Sequence, residues 1–209
     1  MVQQNKINKI APVLAIDNLK LIDNEIQAIT GDLILATDGT NELKLQVNSS
    51  TYVDFYSSGA VSLVKQPSFF VYASANVNNV SGAGTEVTVG YNTELYDITN
   101  NFSANNFTAP ITGKYYLSST LSYTGLSALM TGLSFKIRTS NQVYQVFNNP
   151  YLSTITGSSG SINCSCITDM DAADTASILL TIYGGAGNTA DIQGNASLFI
   201  TNFSGHLIY

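Results

Sequence analysis

The stretch GKYYLSSTLSYT, residues 113–124, decides the fold. Tyr115, Leu117, Leu121 and Tyr123 fall on one side of an extended chain, and Tyr116, Ser118, Thr120 and Ser122 on the other. That period of two predicts a strand with one face in a core. TASILLTIYG (175–184) repeats the pattern: Ala176, Ile178, Leu180 and Ile182 read as core. Leu179 and Tyr183 then fall on the outer face, where a lone chain would carry polar groups. Apolar residues in such a row predict a subunit interface, or else a curved sheet covered by a loop.

Working outward, similar pieces fill the C-terminal part: FFVYAS (69–74), TEVTVGY (85–91), ELYDI (94–98), NFTAP (106–110), GLSFKIRT (132–139), QVYQVF (142–147), GSINCSCIT (160–168) and NASLFITNFSGHLIY (195–209). Gly, Asn, Ser, Pro or Asp occupies the breaks, as turns require. No long 3.6-residue period competes, and strands do not alternate with helices. The expectation is all-β: a ten-stranded antiparallel jelly-roll sandwich over residues 67–209. Pro67, with no N–H to give a central strand, marks its start.

Residues 1–66 differ. Short alternating pieces at 16–23, 31–39, 42–47, 51–56 and 60–64 are separated by polar turns. Strands this brief leave edges unpaired unless neighbours cover them. Three copies wound together would cover them, so the segment reads as a β-rich trimeric stem preceding the head.

Composition narrows the function. Charged residues make up only 11%, against 44% hydrophobic, and the net charge is −6. Eight Lys+Arg cannot supply the cationic footprint of a nucleic-acid binder. No apolar run approaches the ~20 residues that span a bilayer. The first residues lack a sustained apolar core before Asp17, so no secretory signal is expected.

Nor does a reactive constellation emerge. His206 is the single histidine, near the C-terminus on an alternating strand, and reads as a packed or interface residue. Cys164 and Cys166 share one strand face with Ile162, as buried free thiols would. Asp169, Asp171 and Asp174 lack the spacing of a calcium loop and suit a capped turn instead. SGAG (81–84) and YGGAGN (183–188) have no phosphate-loop Lys-Ser/Thr and read as turns. No metal, cofactor or enzymatic activity is expected.

FTAPITGKYYLSSTLSY (107–123) resembles the motif of the complement component 1q globular head, within the tumour-necrosis-factor-like jelly rolls. Phe107 is followed, after five intervening residues, by Gly113-Lys-Tyr115; upstream, Tyr91, Asp97 and Phe102 match the family's aromatic, Asn/Asp and aromatic positions. FSGHLI (203–208) resembles the closing strand, and MDAADTASILLTI (170–182) the penultimate turn and strand. Ala173 stands where the family has Gly, and His206 where it has an aromatic. Pro110 and Gly113 punctuate a corner, and Gly113 suits a positive φ.

The resemblance implies a homotrimer with both ends of each head at the base and loops at the opposite tip. With a β-rich stem and no collagen repeat, the chain resembles viral or phage fibre proteins, by analogy of architecture. The expected function is then a non-enzymatic receptor-binding head, with residues 1–66 meeting a virion protein. The expected location is the virion, after assembly in the host cytoplasm. Alternating strand directions place 124–131, 149–158 and 184–194 at the tip. There Tyr123, Asn149, Tyr151, Asn188 and Asp191 offer the Tyr/Asn palette of adaptable recognition, for a host-surface glycan or protein. Leu179, Tyr183 and His206 are the expected trimer-interface residues. A structural fibre cap or capsid decoration without a ligand, and a lectin-like module outside a virus, are the alternatives.

Overall fold

The structure, a computed structural model, describes residues 19–22, 25–28, 43–47, 50–149 and 158–209. Two compact units divide the chain, Met1–Ser62 and Leu63–Tyr209. In the first, β1 (Leu19–Ile22) and β2 (Glu25–Ala28) form an antiparallel hairpin. A meander follows, of β3 (Leu43–Val47), β4 (Ser50–Phe55) and β5 (Val61–Ser62). The strand expected over 31–39 lies outside the described residues.

The second unit contains β6 (Ser68–Tyr72), β7 (Val77–Ser81), β8 (Glu86–Thr88), β9 (Thr93–Ile98), β10 (Phe102–Ser103), β11 (Asn106–Thr108) and β12 (Gly113–Leu126). It continues with β13 (Gly132–Thr139), β14 (Val143–Asn148), β15 (Ser158–Met170), β16 (Thr175–Tyr183), β17 (Ala190–Gln193) and β18 (Asn202–Leu207). All ten expected strands are present, but the described residues add three short ones, β7, β10 and β17. None of the three has an alternating apolar pattern long enough to read: β7 is VNNVS and β10 only FS. The expected strand over 195–209 shrinks to β18, because the chain before it is a loop.

Strand order gives the topology. In one sheet β12 pairs with β15 on one side and with β18 and β17 on the other, while β6 joins β18 and β9 joins β6. In the second sheet β16 lies between β13, followed by β14, and the in-line pair β8 and β11. Taking β6, β8/β11, β12, β13, β14, β15, β16 and β18 as strands one to eight, the sheets read 1-8-3-6 and 2-7-4-5. That order is a jelly roll, two Greek keys folded together.

The core lies between the sheets, and the alternation of residues 113–124 fills half of it. Tyr115, Leu117, Leu121 and Tyr123 face Leu133, Phe135, Ile137, Ile178, Leu180 and Ile182, all buried. At one end an aromatic cluster clamps the layers. Phe69 stacks on Phe107 at 4.6 Å, meets Phe203 edge-on at 4.9 Å, and Phe107 lies 5.5 Å from Tyr115. Such ring pairs add about 0.5–1.5 kcal/mol each beyond the area they bury. Gly113 does not have the positive φ expected of it. Its constraint is contact: a Cβ there would sit 2.7 Å from the Tyr209 carbonyl oxygen and from Leu207 Cδ1.

Candidate functional site

The register of the first sheet assigns its two poles. Tyr115 opposes Leu207, and His206 opposes Ser68, so the C-terminal strand and the start of β6 share one pole. Gln66 Nε2 donates to the Leu207 carbonyl (2.5 Å) and Leu207 N donates to the Pro67 carbonyl (3.0 Å). The chain therefore enters and leaves the head at this base. At the other pole lie Leu126, Asn148, Tyr183 and Ser81, the ends of β12, β14, β16 and β7.

Backbone bonds tie this tip together. Thr131 N donates to Tyr183 O (2.9 Å), Gly84 N to Ile182 O (2.9 Å) and Gly185 N to Gly82 O (2.8 Å). Gly184 is pinned most tightly: its φ is +89°, and a Cβ would lie 2.5 Å from the Leu129 carbonyl oxygen and 2.8 Å from Thr131 N. The glycine run that reads as a turn is thus a packed joint between two connections.

On this platform the expected ligand residues play different parts. Asn149 and Asn188 are exposed, and Asn188 Oδ1 lies 3.5 Å from Ala83 N. Asp191 is half-buried, and its Oδ1 accepts from Asn79 N at 2.7 Å, holding a residue whose φ is +58°. Tyr123 is only 5% exposed; it belongs to the core, and burial pushes its phenol pKa up. Tyr151 lies outside the described residues. Leu129, which the periodicity does not single out, is 63% exposed at the tip.

On the second sheet Leu179 is 5% exposed. Lys136, in register with Leu179, sends its Nζ to Glu86 Oε2 (2.7 Å), and Arg138 Nη2 reaches Glu86 Oε1 (2.6 Å). From that position the Lys136 stem can lie over the leucine while its head stays in the ion pair, as long cationic chains do. Leu179 therefore has almost no surface to offer a second chain. Tyr183 is half-buried, 6.3 Å from the ring of Phe147.

Apolar surface stays open on both outer faces: at Phe147 (57% exposed) and Val143 (54%) on β14 of the second sheet, and along a row of the first. Ile167, Tyr116, His206, Ser68 and Ile98 form one cross-strand row, and Phe70 and Tyr96 stand in the next. Ile167 is 60% exposed, and Ile98 and Tyr96 are exposed with it. Beside them Phe199 packs edge-on against Tyr72 (4.7 Å) and Phe70 (5.8 Å). His206 is exposed, with its ring 5.5 Å from that of Tyr116.

Geometry bears on the chemistry as well. Cys164 and Cys166 point to the core side of β15, whereas His206 stands on the outer side of the same sheet, so no Cys–His pair forms. Burial, with Cys164 adjacent, pushes the Cys166 thiol pKa up to about 12. The aspartates are tied into structure: Asp169 pairs with Lys114 (2.5 Å), and Asp174 Oδ2 accepts from Asp171 N (2.9 Å) and Asn141 Nδ2 (2.6 Å). Among the described residues no three His, Cys, Asp or Glu side chains gather as a metal site would require.

Strand order and poles together define the class: a jelly-roll head, entered and left at its base, with its longer connections at the tip. No protein-family model matches the chain, and no curated protein does. Among solved structures it is similar to the globular domain of zebrafish complement 1qA protein, at 18% identity and a TM-score of 0.45, over 69% of this chain and 98% of that one. It is also similar to murine APRIL, at 9% identity and a TM-score of 0.45, over 69% of this chain and all of that one. These likenesses are of fold.

Proposed function

We propose that the chain is a non-enzymatic, homotrimeric attachment head of a viral or phage fibre, located in the virion. In this reading residues 1–66 are the stem and meet a virion protein, and the tip engages a host-surface glycan or protein. The observation that carries it is the wet apolar face of the first sheet, where Ile167, Tyr96 and Ile98 lie open in a single chain. Exposed apolar surface rimmed by polar residues such as Ser118, Thr120 and Ser204 is what a subunit contact would cover. Three tips on one body would then gain avidity from weak individual sites.

Light scattering on the full chain tests the assembly. At micromolar concentration the mass should be three times the 22.3 kDa of one chain, and Ile167→Asp should shift it toward one. Fluorescent full-length protein on a panel of candidate host cells tests attachment. Asn188→Ala combined with Tyr151→Ala should weaken that binding while the mass is unchanged. A stable monomer, or a trimer that binds no cell, refutes the corresponding half of the reading.

A further inference from the structure

On the flank of the head, two adjoining hollows of about 520 and 280 Å³ share Tyr91, Asn92 and Asn105. Their sizes bracket the lower range of small-ligand sites, roughly 300–1,000 Å³. The three asparagines that line them, Asn76, Asn92 and Asn105, are held alike. Each uses its Oδ1 to accept from the backbone of a different segment: Asn76 from Gly194 N (2.9 Å), Asn92 from Ser74 N (2.8 Å), and Asn105 from Tyr91 N (2.8 Å). Those bonds fix which end of each amide is oxygen, and among the described residues none of the three Nδ2 donors has an acceptor. Asn105 sits at +64° in the two-residue β10–β11 turn beside Ala104 at +49°, so the backbone as well as the side chain is set in place.

We infer that this groove is a second binding site, distinct from the tip, for a neutral oligosaccharide. Fixed amide donors beside the exposed Glu94 carboxylate and Ser103 hydroxyl suit the alternating acceptors and donors of sugar hydroxyls. Neither hollow has Lys or Arg in its lining, so a sialylated, sulfated or phosphorylated ligand would meet Glu94 with no cation to offset it. Tyr91 and the neighbouring Phe102 are buried beneath, a firm floor rather than an apolar pocket for a side chain.

The probe is a set of neutral oligosaccharides ending in hexose or N-acetylhexosamine, with sialylated counterparts, titrated into the full-length protein. A neutral member should shift the backbone amide resonances of Ser74, Tyr91 and Gly194, the three donors tied to the asparagines. Asn92→Asp and Asn105→Asp retain the Oδ1 acceptor but replace the donor with a carboxylate oxygen, and each should weaken binding about tenfold or more. Glu94→Gln, at an exposed side chain, should weaken it several-fold with the melting temperature unchanged. Asn188→Ala, at the tip, should leave this binding intact, which separates failure of the groove from failure of the tip. No shift at millimolar sugar, equal binding of sialylated sugars, or affinity unchanged in both Asn→Asp variants would overturn the assignment.

Discussion

Ala173→Gly should stabilise the head. Ala173 stands at φ +75° in the turn before β16, a conformation that costs an L-residue with a Cβ about 1–2 kcal/mol. Around it, Ala173 N donates to Ala109 O (2.8 Å), Asp174 N to Asp171 O (3.0 Å) and Ala109 N to Asp174 O (2.8 Å). Those bonds hold the turn whatever residue occupies it, and Ala173 itself is exposed, so its methyl adds little packing. Glycine removes the strain but loosens the unfolded chain, at a cost of about 0.4–1 kcal/mol. The net gain is about 0.5–1 kcal/mol, a rise of about 1–4 °C in a domain of this size. Thermal melts by circular dichroism, at one fixed protein concentration, provide the assay. Ala172→Gly, one residue earlier and without a positive φ, should move the melt the other way. If Ala173→Gly melts at or below the parent, the turn is not strained as described.

Other perturbations act elsewhere. Gly184→Ala should cost more than about 1 kcal/mol, since it adds a Cβ both at positive φ and against Leu129 and Thr131; urea midpoints measure it, and an unchanged midpoint refutes the packed joint. Hydrogen bonding to Lys136, aided by Arg138, lowers the Glu86 pKa. Its contribution to stability is thus present above the unfolded carboxylate value of about 4.3 and lost as pH falls through the lower folded value. Glu86→Gln should flatten that part of the stability–pH curve, and a curve of unaltered slope counts against the ion pair. With the Cys166 thiol pKa at about 12 and Cys164 buried, iodoacetamide at pH 8 should label neither in the folded protein and both in denaturant, read by mass spectrometry.

The fold was legible because the residues that build it announce themselves locally. Strand β12 alternates strictly, and Phe107, Gly113 and Tyr115 bring both sheets to one corner, so a jelly roll could be expected from the chain, while the order of strands within each sheet came from the register. Strands β7 and β17 carry no such pattern; they exist because the longer β12 extends past β18 and leaves an edge for β17 to pair, which β7 then extends. The poles followed from strand alternation, which set the tip connections opposite the C-terminus. What each tip side chain does there did not follow. Asp191 and Asn188 look equivalent in sequence, yet one braces a left-handed Asn79 and the other stands exposed. The flank groove was invisible for a related reason: Asn76, Asn92 and Asn105 are among many asparagines, and only the backbone donors they meet set them apart.

Outward-facing apolar residues show most clearly where sequence reasoning stops. Alternation places Leu179 and Ile167 alike on outer faces, and by hydropathy either could mark a subunit contact. Their cross-strand neighbours decide the outcome. Leu179 lies next to Lys136, whose stem can lie across it because Glu86, one strand further on, holds the ammonium in place. Ile167 lies next to Tyr116, with His206 beyond, and neither supplies a long charged chain to cover it. Burial within one chain satisfies Leu179, whereas Ile167 keeps apolar area that assembly would cover, as do Phe147 and Val143 on the edge strand β14. In the trimer proposed above, Ile167 with its neighbours Tyr116 and His206, rather than Leu179, has apolar surface to contribute to a contact driven by the hydrophobic effect.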